Sequence, residues 1–166
     1  MVGLKKSWHL RTVHRRRVLS QLADDYQKMA EFLLPYAQSV IDSGQHLAPV
    51  GSAIGSDGSP QAVFAMPDSS PVGDPQEMER MLISTLREKV KSGEYRSTGI
   101  ALEMHEIRLE GRPSMPAIKL ILETNTGVAA SYYQPFQRRL FQKPRYHEKF
   151  MIPGTAVVFD DSLDIS

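Results

Sequence analysis

Cysteine is absent from all 166 residues. The chain can therefore form no disulfide, no thiolate metal site and no cysteine nucleophile. Tryptophan occurs once, as Trp8. No stretch approaches the run of about 20 apolar residues that a membrane-spanning helix requires. A secretory signal is not expected either, because the basic start leads into VLSQLADD where an apolar core would have to stand. The Arg-rich, acid-free start has the composition of an organellar transit peptide too, but it reads first as a solvated arm. These absences give a cytoplasmic protein without a membrane as the expectation.

Apolar residues make up 41% of the chain, enough for one domain with a core and too little length for two comfortable ones. Charge is spread unevenly. Residues 1–17 carry Lys5, Lys6, Arg11, Arg15, Arg16 and Arg17 and no acid, so the remainder sums to −5 although the whole chain is +1. Near the C-terminus, Arg138, Arg139, Lys143, Arg145 and Lys149 face one acid, Glu148. The expected division is a basic N-terminal extension over 1–17, a single α+β domain over 18–160 and an acidic tail over 161–166.

From Val18 onward, Leu22, Tyr26, Met29, Leu33, Tyr36 and Val40 recur at spacings of three and four, which predicts a helix. Pro35 predicts a kink or break near Phe32–Leu34, and Gly44 a stop. The runs Leu47–Ile54 and Gln61–Met66 flank GSDGSP, whose Asp57-Gly58 signals a hairpin with Ala62, Phe64 and Met66 packed inward. After a loop of turn formers, Asp74-Pro75-Gln76-Glu77 predicts a second helix with the stripe Met78, Met81, Leu82, Leu86 and Val90, stopping at Gly93. Ile100, Leu102 and Met104 then alternate with Ala101, Glu103 and His105, a strand with the second set toward solvent and a bulge at Glu106. Ala117–Glu123 and Val128–Gln134 predict two more strands, with Gln134-Pro135 as an end and a charged loop over Gln137–Lys149. Phe150–Ile152 with Ala156–Phe159 read as a weak last strand. The order α-β-β-α-β-β-β predicts an α+β fold: an antiparallel sheet of about five strands, a hairpin plus a three-strand meander, with two helices packed on one face.

This layout is similar to profilin-like and Roadblock-type scaffolds. The runs PVGSAIGSDG, YYQPF and FMIPGTAVVF resemble a family of small uncharacterised bacterial α+β proteins with a P-x-G-x-x-x-x-x-D-G hairpin and a Y-x-P-F/Y motif. The resemblance covers roughly residues 20–160 and implies no activity. PVGSAIGSDG also looks like the opening strand and turn of cytidine-deaminase-type enzymes. Those hold zinc through cysteines beside a catalytic Glu, which a chain without cysteine cannot do.

No catalytic constellation stands out, so no catalytic residue, cofactor or metal is expected. Glu103 and His105 share a strand face about 6–7 Å apart, so with Glu106 they form the densest set of potential ligands or acid–base groups. That set gives the second reading, a small-ligand-binding or hydrolytic protein. The bland alternative is a solvated strand face. Asp57 and Gly58 are structural turn residues, since the Gly-rich turn lacks a lysine and is followed by a strand, unlike a phosphate-binding loop. Tyr132, Tyr133 and Phe136 offer aromatic anchors, with Arg138 and Arg139 beside them. The leading expectation is a non-enzymatic protein-interaction module, regulatory or immunity-like, that binds a protein partner or a second copy of itself through an exposed sheet face or edge. Association with nucleic acid through Lys5, Lys6, Arg11, Arg15, Arg16 and Arg17 is the third reading.

Overall fold

The structure, a computed structural model, describes residues 5–65 and 74–159, with side chains described from Leu22 onward. Helix α1 spans Lys5–Asp42, well upstream of the expected start at Val18. The side chains of the six N-terminal cations and the acidic tail 161–166 lie outside the described residues. The buried row of α1 is Asp25, Met29, Leu33, Ala37 and Ile41, a strict four-residue spacing along one helix face. Tyr36 falls off this row and is partly exposed. Pro35 does not break the helix. It is exposed, and the row on either side of it packs on the sheet and holds both halves in place. Gly44, at φ +83°, ends the element as expected, with the Gln45 N–H returning to the Val40 carbonyl.

Strands β1 (Val50–Gly55) and β2 (Pro60–Phe64) form the expected hairpin. Gly58 N–H donates to Gly55 O and Gly55 N–H to Ser59 O, with only Gly58 of the turn at positive φ, +87°. This is a β-turn followed by a left-handed residue, longer than a two-residue Asp-Gly turn. The Asp57 carboxylate accepts from the Ser59 N–H and hydroxyl and locks the loop. Its inward residue is Val63, while Phe64 is exposed, the reverse of the expected pattern. The reason is register: Val63 pairs with Gly51, whose missing side chain leaves room for Leu82 of the second helix.

That helix, α2 (Pro75–Lys91), starts at the Asp74 cap and buries Leu82 and Leu86. Three long strands follow: β3 (Tyr95–Ile107), β4 (Met115–Thr124) and β5 (Ala129–Arg139). Strand β5 runs through Pro135, where pairing with β4 stops, so the missing N–H falls at a changeover. The expected charged loop contains β6 (Gln142–Tyr146), and β7 (Phe150–Pro153) pairs with the first half of β5. The sheet order is β2-β1-β3-β4-β5-β6, all antiparallel, seven strands against the five expected. The class is α+β and the order of the first seven elements is as predicted. Residues Ala156–Phe159 form no strand.

The two helices do not share a face. Met29, Leu33, Ala37 and Ile41 of α1 pack with Val50, Ile54, Ala101, Ile118, Leu120 and Leu122. Leu82 and Leu86 of α2 pack with Ala53, Val63, Ile100, Leu102 and Ile121. Adjacent residues of one strand point to opposite faces, so the sheet is covered from both sides. The face carrying Ala101, Glu103 and His105 is consequently the α1 face: the expected exposure is corrected for Ala101, which is buried, and for Glu103, whose side chain is 4% exposed, and holds for His105. Its small residues are there because the helix comes close: a Cβ on Gly99 would lie 2.9 Å from Leu33 Cδ1. The register shift between Met104 and Ile107 is the expected bulge. No described helix is long and apolar enough to cross a membrane.

The hairpin turn yields a first prediction. Gly58→Val places a β-branched side chain at φ +87° and should cost about 1–3 kcal/mol in denaturant unfolding. Ser56→Ala, at a position without that requirement, should leave the unfolding midpoint within error. Equal midpoints for the two variants would show that the turn does not set the register.

Candidate functional site

Two features stand out at the end of the sheet where α1 finishes. The first is built on Glu103 of β3, whose side chain is only 4% exposed. Its carboxylate accepts from the Leu47 N–H at 2.8 Å and from Arg138 Nη2 of β5 at 2.9 Å. His46 Nδ1 lies 3.2 Å from both carboxylate oxygens. Arg138 also donates to the Gln45 carbonyl. One buried carboxylate thus fixes the loop after α1 to two strands. Burial alone would raise its pKa, but the bonds from Leu47, Arg138 and His46 outweigh that and hold it below the ordinary carboxylate value. Close by, Tyr146 of β6 donates to Asp42 and to the Gln38 carbonyl, and burial with the Asp42 contact pushes its phenol upward.

His46, Glu103 and His105 place one ligand atom each within 4.8 Å of one another, a donor set of the kind zinc accepts. Glu106 is not part of it; beyond the bulge it meets Arg108 at 3.4 Å on the surface. The expected trio is therefore replaced by one that recruits His46 from 57 residues away in the chain. Arg138 changes what this trio can do. Its guanidinium supplies the positive charge on Glu103 and lies 3.5 Å from His46 Nδ1, so a divalent ion would have to displace it. The arrangement serves best as a structural junction.

The second feature is the β5–β6 turn, Leu140-Phe141, bracketed by the pair Arg139 and Gln142. Leu140 is 82% exposed and Phe141 97%. Phe141 is the one non-glycine with positive φ, +59°, among the described residues. Turns of this length favour Gly or Asn at such a position, and a bulky residue there is an outlier. The flanking Arg139, Lys143 and Arg145 are exposed as well.

The aromatic candidates divide. Phe136 is fully buried beneath α1 and beside Tyr146, so it cannot anchor a partner. Tyr132 packs at the margin of the same core. Tyr133 points to the opposite face, stacked on Phe150 at 5.2 Å with Lys119 over its ring. Arg138 belongs to the Glu103 junction, and Arg139 flanks the exposed turn. Asp57 and Gly58 have the turn roles expected of them. Sequence reasoning missed Leu140 and Phe141, although two adjacent large apolar residues inside a charged stretch were a visible signal.

The chain matches no protein-family model, no curated protein and no solved structure. The chemistry of these two features is therefore read on its own terms.

Glu103→Gln should cost about 1.5–3 kcal/mol at pH 7, the worth of hydrogen bonds to a charged group. Because the folded pKa is the lower one, this contribution is complete above the unfolded value of about 4.3 and fades as pH falls through the folded value. The stability gap between wild type and variant should therefore narrow on acidification below about pH 4.3. A gap constant down to acid unfolding would refute the charged junction. In the metal test, wild-type protein purified without added metal should carry no stoichiometric zinc, and Arg138→Gln should take up zinc through His46, Glu103 and His105. Zinc in the wild type that His105→Ala removes would make the trio a metal centre.

Proposed function

We propose that this chain is a non-enzymatic protein-interaction module of the cytoplasm that docks through the β5–β6 end of its sheet. The observation that carries the reading is Phe141, almost fully exposed at a backbone angle that costs a bulky side chain about 1–2 kcal/mol. A turn selected for stability alone would hold Gly or Asn there. Leu140 and Phe141 together present a compact apolar knob, and aromatic anchors of this kind dominate protein interfaces. The adjacent cations Arg139, Lys143 and Arg145 supply a polar rim and favour a partner surface of opposite charge. Tyr133, Phe150 and Ile152 extend half-buried and exposed apolar surface along the sheet face that α2 leaves uncovered. The partner is either another protein or a second copy of this chain.

Phe141→Gly separates stability from binding. Relief of the left-handed strain should raise the melting temperature by about 2–4 °C, the shift that about 1 kcal/mol gives in a chain of this size. The same variant, and Leu140→Ser with Phe141→Ser, should lose self-association in sedimentation or the cross-linked partner recovered with wild-type protein from its host. Variants that keep every such association would overturn the reading.

A further inference from the structure

We propose that the cleft between the β3–β4 turn and the base of the β5–β6 hairpin binds an oxyanion, a phosphate or carboxylate group. The cleft has a volume of about 710 Å³, within the usual range for small-ligand sites. Arg112 and the rigid Pro113 and Pro116 come from the β3–β4 connection and the start of β4, Arg138 from β5, and Arg145 and His147 from β6 and its end. No carboxylate lines it.

Arg112 and Arg145, beside an Arg138 already paired with Glu103, raise the potential of this depression, and low-dielectric walls focus that field on whatever enters. The acid bonded to this group, Glu103, is already occupied by Arg138, Leu47 and His46. Among the described residues, the side chains of Arg112 and Arg145 have no hydrogen-bond or ion-pair partner. Each guanidinium offers a planar fork that matches two oxygens of a phosphate or carboxylate. His147 lines the same cleft, but its Nε2 is shut off from solvent, so the ring reports on the site and does not itself reach the anion. His147 is also positioned by its backbone, whose N–H donates to the Pro135 carbonyl. The site therefore rests on two unpaired guanidiniums, Arg112 and Arg145, on a cleft lined by no carboxylate, and it does not depend on the apolar turn.

Calorimetric titration of the full chain with inorganic phosphate and, separately, with citrate tests this, chloride holding the ionic strength constant. The His147 ring resonances are followed by NMR in parallel. Saturable binding of at least one anion is expected, with the His147 signals shifting to the same midpoint. Arg112→Gln combined with Arg145→Gln should weaken it about tenfold or more, with the melting temperature retained, as both residues are exposed. Preference for phosphate assigns a phosphoryl ligand and preference for citrate a carboxylate one. Leu140→Ser with Phe141→Ser should bind the anion as wild type does, which keeps this result separate from the docking of the hairpin tip. No saturable signal with either anion, an effect that chloride alone reproduces, or undiminished affinity in the double glutamine variant would overturn the proposal.

Discussion

The central strands are covered on both faces over most of their length. Strands β1, β3 and β4 are pressed by α1 on one side and by α2 with residues 157–159 on the other. Over that covered length the side chains are mostly apolar, small or bonded, with the Ser52 and Thr98 hydroxyls buried without a partner. Gly99 and Ala101 are small because Leu33 and Met29 come close, and Gly51 because Leu82 does. With the middle of the sheet closed, exposed chemistry is pushed outward, to the end where β5 outruns β4 and turns back as β6. The candidate binding features lie there for that reason.

Polar groups trapped by the two layers are used as ties. Asp25, on the buried row of α1, accepts two bonds from Arg96 and one from Ser97, which sets the axial position of the helix on β3. Glu103 does the same for the loop after the helix. Glu123 accepts from the N–H groups of Val157, Val158 and Phe159, and Arg87 of α2 grips the Val157 carbonyl of the same segment. A buried carboxylate left without donors would be strongly unfavourable, so each tie specifies geometry more than it adds net stability. The Asp25 and Glu123 ties lie at the end of the sheet where β3 begins and β4 finishes, and the Glu103 tie at the opposite end, beside the β5–β6 hairpin.

Periodicity located both helices and the bulge after Met104, and local residue chemistry the cap at Asp74 and the stop at Gly44, but the start of α1 at Lys5 and its unbroken course through Pro35 were not legible. The turn at Gly58 was legible because only a few residues tolerate its backbone angle. The face assignments were not. Glu103 and His105 have the composition of a solvated face, which His105 keeps, and nothing local shows that the loop after α1 and Arg138 will close over Glu103. Strand β6 was hidden for a related reason: QKPRY has no apolar alternation, since only Tyr146 and Pro144 are even partly covered. Val63 and Phe64 were exchanged because the choice between neighbours depended on the empty space at Gly51, across the hairpin and not along it.

The Glu123 tie also imposes an order on synthesis. Its donors lie more than thirty residues downstream, so a growing chain can complete β4 and even β5 while this carboxylate still needs water. The α2 side of the sheet has to stay open, or close only transiently, until residues 157–159 leave the ribosome. Helix α1 has no such debt: its row of side chains and Asp25 find their partners once β3 and β4 exist. One face of the sheet can thus mature during translation, while the other waits for almost the last residues that the described structure contains.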